Sequence, residues 1–131
     1  MESLRIEATD DSPQVLLDQE DKQFEISGKS LPEDVLDFYQ PVHDWLNKYK
    51  ENPNARTEFN LKMIYFNTAS SKQIMDILMI MEEMVEEGHD VVIRWHSMET
   101  DEDMQEAGKE YEEMLDIPFE HLTYEKPPRN K

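Results

Sequence analysis

The chain of 131 residues carries 31 acidic and 13 basic side chains, which leaves a formal net charge of −18. Such a surface repels phosphate backbones and anionic lipid, so nucleic acid and membrane are excluded as expected partners, and proteins with basic patches are favoured. The absence of cysteine excludes disulfides, thiolate metal sites and Cys nucleophiles, and it fits a cytoplasmic location.

Three short strands are predicted in the first thirty residues. Apolar and polar side chains alternate in "SLRIEAT" and "KQFEISG", and "PQVLLDQ" carries a compact apolar run between them. The turn-forming stretches "DDSP" and "DQED" separate these strands. The pattern predicts an antiparallel meander.

A helix is predicted within "SLPEDVLDFYQPVHDWLNKYKENPN", where the spacing of apolar residues changes to three and four. Ser30 and Glu33 have the spacing of a capping box at its start. Pro41 lacks an N–H and collides with the preceding turn, so we expect a kink, or two abutting helices of which the second begins at Pro41. The predicted inner face consists of Val35, Tyr39, Val42, Leu46 and Tyr49.

A βαβ unit is predicted next. The stretch "EFNLKMIYF" alternates up to Tyr65 and then fills both faces, which is typical of a strand entering a covered sheet centre. A helix that ends at Gly88 and the strand "HDVVIRWH" follow, so the two strands should be parallel with a right-handed crossover. The apolar stripe of the helix consists of Ile74, Ile77, Leu78, Met81 and Val85.

The same pattern occurs once more, because Thr100 can cap a helix that precedes Pro118 and the last strand, "FEHLTY". The expected inner face of this helix is Met104, Ala107, Tyr111 and Met114. The predicted fold is therefore α/β: a mixed sheet with an N-terminal antiparallel meander, two βα repeats and helices packed on the sheet. We expect residues 1–131 to form a single domain, with about 125–131 as a flexible tail.

Enzyme signatures are absent from the sequence, which has no phosphate-binding glycine loop, no H-E-x-x-H and no G-x-S-x-G. We expect no catalytic residue, no cofactor and no metal site, since the four histidines are scattered. Trp95 and His96 end an interior strand where ligands can bind, but packing and a hydrogen-bonded histidine are the favoured interpretation. For the methionines at 75, 79, 81 and 84, core packing is favoured over a promiscuous binding surface.

The junction "YFNTASSKQIMDIL" joins the central strand to its helix and contains three hydroxyl residues, Thr68, Ser70 and Ser71. Ser70 and Gln73 have capping-box spacing, which leaves Thr68 unused in the strand–helix loop. A phosphate on Thr68 would place roughly −1.5 to −2 charges beside a helix terminus that favours anions. From these residues alone, a plain helix cap and a phosphorylation switch both remain open.

Four stretches occur in a specific order between Phe24 and His96: "FEISGKSLPED", "DWL", "IYFNTASSKQIMDIL" and "EEGHDVVIRWH". Together they resemble the SiaC family of bacterial regulatory phosphoproteins, whose fold is similar to the STAS domains of anti-sigma-factor antagonists. The most specific part is a strand followed by Asn67, Thr68, a small residue, a serine and a helix containing "MDIL". Pro41 departs from what the resemblance leads us to expect in the first helix.

The resemblance implies a non-enzymatic, cytoplasmic signalling switch with a STAS-like fold. A protein kinase of the same operon type would phosphorylate Thr68, and a PP2C-type phosphatase would remove the phosphate. The unphosphorylated form would bind and activate an effector, expected to be a diguanylate cyclase, and so raise cyclic di-GMP and favour aggregation or biofilm growth. Asn67, Ser70 and Ser71 match the motif and would shape or cap the acceptor loop.

Two alternatives remain at this point. The protein could be a STAS-type anti-sigma-factor antagonist in a partner-switching system, with Ser70 or Ser71 as the phosphorylated residue. It could also be a small enzyme that uses His96 and neighbouring acids, although no motif supports this.

Overall fold

The computed structural model describes residues 1–125, so the predicted tail beyond Glu125 lies outside the described residues. The elements follow one another as β1 (Leu4–Ile6), β2 (Gln14–Asp18), β3 (Gln23–Ser30), α1 (Val35–Tyr49), β4 (Arg56–Phe66), α2 (Thr68–Glu86), β5 (Asp90–Met98), α3 (Glu102–Met114) and β6 (Phe119–Tyr124). No helix in this part of the chain combines the length and apolarity that a membrane crossing requires.

The strands form one mixed sheet in which their spatial order is the same as their order along the chain. β1, β2 and β3 pair antiparallel, and β3, β4, β5 and β6 pair parallel. The predicted α/β class, the meander and both βα repeats are confirmed. The structure adds one parallel crossover that the sequence did not reveal, since α1 connects the parallel strands β3 and β4.

The core lies between the sheet and its helices. Because each parallel strand is added on the same side of the previous one, right-handed crossovers place all three helices on one face of the sheet. The predicted inner residues of α1 and α2 are buried there, apart from the half-buried Val35 and Val85. Strand residues fully buried against them include Leu17, Ile26, Phe59, Leu61 and Ile93.

The opposite face of the sheet carries charged side chains, so the expectation that β4 enters a sheet centre covered on both sides is wrong. Lys62 of β4 pairs with Glu25 of β3 at 3.1 Å, and Arg94 of β5 pairs with Glu120 of β6 at 3.1 Å. Charged groups that retain water on one side are tolerated on a half-exposed sheet face.

Tyr65 was expected inside, yet it is 51% exposed. The strand pairing shifts between Gly28↔Met63 and Lys29↔Tyr65, so β4 contains one extra residue at this point. Gly28 has a φ of 110°, a conformation that disfavours side chains with a Cβ. This irregularity turns Tyr65 outward and lets Phe66 pack against the core.

Helix α1 begins later than predicted. Its N-cap is Asp34, whose side chain accepts a hydrogen bond from the Asp37 N–H at 3.1 Å, while Ser30 is the last residue of β3. The expected Ser30–Glu33 capping box is therefore wrong. Pro41 lies inside one helix assigned from Val35 to Tyr49, so no second helix begins there. Its ring is on the exposed side, where water can satisfy the carbonyl that loses its partner.

Helix α3 also differs in detail from the prediction. Asp101 rather than Thr100 is its N-cap, and its carboxylate accepts a hydrogen bond from the Met104 N–H at 3.0 Å. Met114 is 60% exposed and does not join the inner face. Gly108 belongs to the inner face instead, because it lies against the Trp95 ring, where any Cβ would come within 2.5 Å of the indole Cδ1.

The methionines of α2 divide between the core and the surface. Met81 and Met84 are buried, and Met75 packs at the margin of the core, as core packing predicts. Met79 is 48% exposed, so the core interpretation is wrong for this residue.

Candidate functional site

Thr68 is the first residue of α2 and is exposed at the carboxyl end of β4. The sequence placed it in a loop with Ser70 as the helix cap. Instead Asn67 is the N-cap, and its side-chain oxygen accepts a hydrogen bond from the Ser70 N–H at 2.9 Å. The predicted Ser70–Gln73 capping box is wrong, and the helix starts three residues earlier than that box implied.

Asn67 also connects the helix to the sheet. Its backbone N–H donates to the Ser30 carbonyl at 3.2 Å, and its own carbonyl accepts from the Ser71 N–H at 2.9 Å. Its backbone is extended, with φ −87° and ψ 177°, as is usual for an N-cap residue. The first turn of α2 is thereby held by β3 as well as by its own hydrogen bonds.

Ser70 lies at the inner end of a buried chain of hydroxyl groups. The Tyr39 hydroxyl is 2.6 Å from Ser30 Oγ, and Ser30 Oγ donates to Ser70 Oγ at 2.8 Å. All three residues are 0% exposed. Burial raises the pKa of Tyr39 to about 12, so its hydroxyl keeps its proton. In this conformation the Ser70 hydroxyl is inaccessible to another protein.

Ser71 connects the same turn to α3. Its hydroxyl donates to the Thr68 carbonyl at 2.9 Å, and its carbonyl accepts a hydrogen bond from the Tyr111 hydroxyl at 2.9 Å. Burial raises the pKa of Tyr111, so this hydroxyl also remains a donor. The turn that carries Thr68 is therefore bonded directly to α3, and it is linked to α1 through Ser30.

The electrostatics of this turn favour an anion. The first turn of α2 contains no acidic residue, although acids outnumber basic residues by more than two to one in the chain. The N–H groups of Thr68 and Ala69 precede the first intrahelical hydrogen bond and point toward the exposed end of the helix. Lys72 is exposed one turn further along. A phosphate on the Thr68 hydroxyl would meet these donors and the positive end of the helix dipole.

A groove lies between α2 and α3 beside this turn, and we call it the α2–α3 groove. It has a volume of about 240 Å³ and is lined by Phe66, Ser71, Ala107, Glu110, Tyr111 and Met114. Four of these six residues present mainly apolar surface. Ser71 belongs both to the groove lining and to the first turn of α2.

His96 and Trp95 have structural partners. Trp95 is 1% exposed and its indole N–H donates to the Met104 carbonyl at 2.9 Å. A ring nitrogen of His96 is 2.9 Å from the Asn60 side-chain oxygen. Burial, with Lys62 and Arg94 nearby, lowers the pKa of His96 to about 4, so the ring is neutral at pH 7. The favoured interpretation of these two residues, packing and a hydrogen-bonded histidine, is confirmed.

The four site residues predicted from sequence, Asn67, Thr68, Ser70 and Ser71, lie together in the first turn of α2. Sequence reasoning missed Ser30, Tyr39 and Tyr111, which hold that turn from other elements. No local pattern marks these three, because each contacts the turn only through the tertiary fold. Within residues 1–125, no group of three His, Asp or Glu side chains is placed to hold a metal ion.

Comparisons with known proteins agree with this architecture. The sequence model of the SiaC family regulatory phosphoproteins matches residues 6–124. An uncharacterised protein of Pseudomonas aeruginosa is 31% identical over 119 residues, which are 91% of this chain and 94% of that protein. The crystal structure of apo-SiaC from Pseudomonas aeruginosa is 29% identical with a TM-score of 0.84, over 95% of this chain and 100% of that one.

This chain is also similar to a second solved structure, in which the similar protein is part of a complex. SiaC from Pseudomonas aeruginosa, in the crystal structure of the diguanylate cyclase SiaD in complex with its activator SiaC, is 30% identical to this chain. The match has a TM-score of 0.87 and covers 92% of this chain and 99% of that one.

Proposed function

The chain belongs to the SiaC family of regulatory phosphoproteins, and we propose that it is a non-enzymatic, cytoplasmic switch whose partner binding is controlled by a phosphate on Thr68. A protein kinase of the same operon type adds the phosphate and a PP2C-type phosphatase removes it. The unphosphorylated form binds and activates a diguanylate cyclase, which raises cyclic di-GMP and favours aggregation or biofilm growth.

The observation that carries this proposal is the position of Thr68. Its side chain is exposed on the first residue of α2, where free N–H groups, Lys72 and the absence of acids suit a phosphate. A kinase can reach this hydroxyl without unfolding the helix. It cannot reach Ser70 in the same way, because Ser70 is 0% exposed and hydrogen-bonded to Ser30.

The burial of Ser70 also weighs against the alternative of an anti-sigma-factor antagonist phosphorylated on that serine. Ser71 is partly buried, and its hydroxyl already donates to the Thr68 carbonyl. Of the three hydroxyl residues at the junction, Thr68 alone is exposed. We therefore keep Thr68 as the proposed acceptor and propose Asn67, Ser70 and Ser71 as its structural support.

The proposed effector follows from the relative described above, SiaC, which forms a complex with the diguanylate cyclase SiaD. The mechanism is local. A phosphate adds bulk and roughly −1.5 to −2 charges to one exposed turn and so changes the surface that a partner meets, while the fold stays intact.

The first test is the intact mass of protein isolated from its native cells, with and without phosphatase, followed by localisation of the phosphate through peptide fragmentation. We expect one removable phosphate, on Thr68. A phosphate found on Ser71 instead, or unmodified protein in every growth condition, would contradict the proposal.

The second test measures cyclic di-GMP synthesis by purified diguanylate cyclases of the source organism, with SiaD of Pseudomonas aeruginosa as the reference cyclase. We expect stimulation by the unphosphorylated protein and by Thr68→Ala, and loss of stimulation with the protein phosphorylated on Thr68. Ser3→Ala is the control, because it removes an exposed hydroxyl next to β1 and leaves the first turn of α2 unchanged. Equal stimulation by the phosphorylated and unphosphorylated protein would count against the switch.

A further inference from the structure

The α2–α3 groove exposes apolar surface directly beside the Thr68 turn. Met114 lines the groove and is 60% exposed, in a chain with a net charge of −18. The aromatic rings of Phe66 and Tyr111 lie together behind it, with centroids 6.4 Å apart. Because methionine is flexible and polarisable, a groove lined by a methionine and two aromatic rings can adapt to the shape of a bound side chain.

Contacts of Ser71 link this groove to Thr68. Ser71 lines the groove, its hydroxyl donates to the Thr68 carbonyl at 2.9 Å, and its carbonyl accepts from Tyr111, which also lines the groove. Thr68 and Ser71 are three residues apart on one helix and so lie on neighbouring positions of its surface. A partner seated in the groove therefore touches the turn that would carry the phosphate.

The size of the groove indicates what it can hold. Its volume of about 240 Å³ is below the range of roughly 300–1,000 Å³ that is usual for small-molecule sites. It is sufficient for one or two apolar side chains. This favours an anchor residue from another protein over a nucleotide or other small ligand.

The charge around the groove indicates the chemistry of that protein. Helix α3, which forms one wall, contains six acidic residues and one lysine. Glu110 is among the residues that line the groove. A complementary segment would carry Lys or Arg beside its apolar anchor, because opposite charges across an interface select the partner and its register.

We propose that the α2–α3 groove is the effector-docking surface, and that it accepts an apolar side chain from a basic segment of the effector. This inference rests on the proposed function, since it assigns a surface to the same regulated interaction. Phosphate on Thr68 opposes docking because the effector segment would have to cover a hydrated, doubly charged group beside the groove, and burying such a charge is costly.

The test measures binding of the unphosphorylated protein to the diguanylate cyclases of the source organism and to SiaD of Pseudomonas aeruginosa, by titration calorimetry. Met114→Glu places a charge in the groove, and we expect it to weaken binding by about tenfold or more. Leu36→Glu is the matched control, because Leu36 is 66% exposed on α1, on the other side of α2. It should change binding by less than about threefold. Thermal unfolding of both variants verifies that they fold.

A second pair of variants tests the charge. Glu110→Gln removes a carboxylate from the groove, whereas Glu87→Gln removes one from the exposed far end of α2. We expect only Glu110→Gln to weaken binding and to reduce its dependence on salt. Equal effects of the two variants would show that binding depends on the net charge of the protein and not on a basic segment beside the groove. That result would overturn this part of the proposal.

The outcomes separate this inference from the function on which it rests. If phosphorylation of Thr68 abolishes binding while Met114→Glu binds like the Leu36→Glu control, the switch stands and the groove is the wrong surface. If no cyclase binds the protein in either phosphorylation state, with Pseudomonas aeruginosa SiaC binding SiaD in parallel, both proposals are overturned.

Discussion

The side-chain oxygen of Ser70 lies 2.8 Å from that of Ser30, and both residues are 0% exposed. The two are 40 residues apart in the chain, so this hydrogen bond joins the first turn of α2 to the end of β3. Tyr39 extends the contact to α1. The exposed Thr68 is thus carried on a turn whose inner side is fixed by β3 directly and by α1 through Ser30.

Replacing Ser70 should therefore reduce stability more than replacing its neighbour. We expect Ser70→Ala to lower the free energy of unfolding by about 1–3 kcal/mol, because it removes a buried hydrogen-bond partner from Ser30. Ser71→Ala, at a partly buried position, should cost less than about 1 kcal/mol. Urea unfolding of the two variants measures the difference. Equal losses would show that the buried chain contributes no more than an ordinary surface contact.

The N-cap role of Asn67 can be measured separately. We expect Asn67→Ala to cost about 0.5–2 kcal/mol, since the Ser70 N–H loses the acceptor that it has at 2.9 Å. Asn67→Asp should retain most of the stability, because a carboxylate accepts the same hydrogen bond and favours the helix dipole. Chemical denaturation compares the two. A loss with Asp as large as with Ala would contradict the capping role.

Phosphorylation of Thr68 should stabilise the fold slightly. A phosphate at the first position of α2 interacts favourably with the helix dipole and with Lys72, so we expect a gain of about 0.3–1 kcal/mol. For a domain of this size that raises Tm by about 1–4 °C. The measurement compares phosphorylated protein with the same sample after phosphatase treatment. A decrease of several degrees would show instead that the phosphate acts by disrupting the turn.

Gly108 should resist substitution although it lies in a helix interior. Glycine to alanine in such a position ordinarily stabilises a helix by up to about 1 kcal/mol. Here the new Cβ would lie within 2.5 Å of the Trp95 ring, so we expect a net loss of about 1–3 kcal/mol. In the background of Trp95→Phe the same change should cost less, by a coupling of about 1 kcal/mol in a double-mutant cycle. Purely additive effects would indicate that the ring is not the obstacle.

Acidification should destabilise the protein partly through His96. The unfolded chain takes up a proton at this residue near its ordinary pKa of 6.5, whereas burial delays protonation in the folded state to a pKa of about 4. The unfolded state therefore binds more protons between these values, and stability falls as pH decreases through that window. A full shift of this size corresponds to about 3 kcal/mol, and because the ring is only partly buried we expect about 1–2 kcal/mol.

The contribution of His96 can be isolated by substitution. His96→Gln keeps a donor for Asn60 and removes the titration, so its free energy of unfolding should fall less steeply from pH 6.5 to pH 4. His121→Gln is the control, since His121 is exposed beside Glu112. If both variants show the wild-type slope, burial of His96 does not contribute to acid sensitivity.

The sequence by itself determined the order and type of the elements and the position of Thr68 at a strand–helix junction. These features depend on periodicity and on residues close together in the chain, such as the stripe from Ile74 to Val85. Where two nearby residues could each cap the same helix, the sequence alone did not decide between them. Ser70 and Asn67 can both cap α2, and Asn67 does so because β3 holds its backbone through the Ser30 carbonyl.

Only the tertiary structure decided which hydroxyl at the junction is accessible. Ser70 is buried because Ser30, itself bonded to Tyr39, comes from another element to meet it. Thr68 is exposed because no residue among 1–125 covers the end of α2 on that side. The α2–α3 groove arises in the same way, from a helix that contacts the junction through Tyr111, 40 residues beyond Ser71. Local periodicity contains no information about such pairs, because their hydrogen bonds form only after the sheet has brought distant segments together.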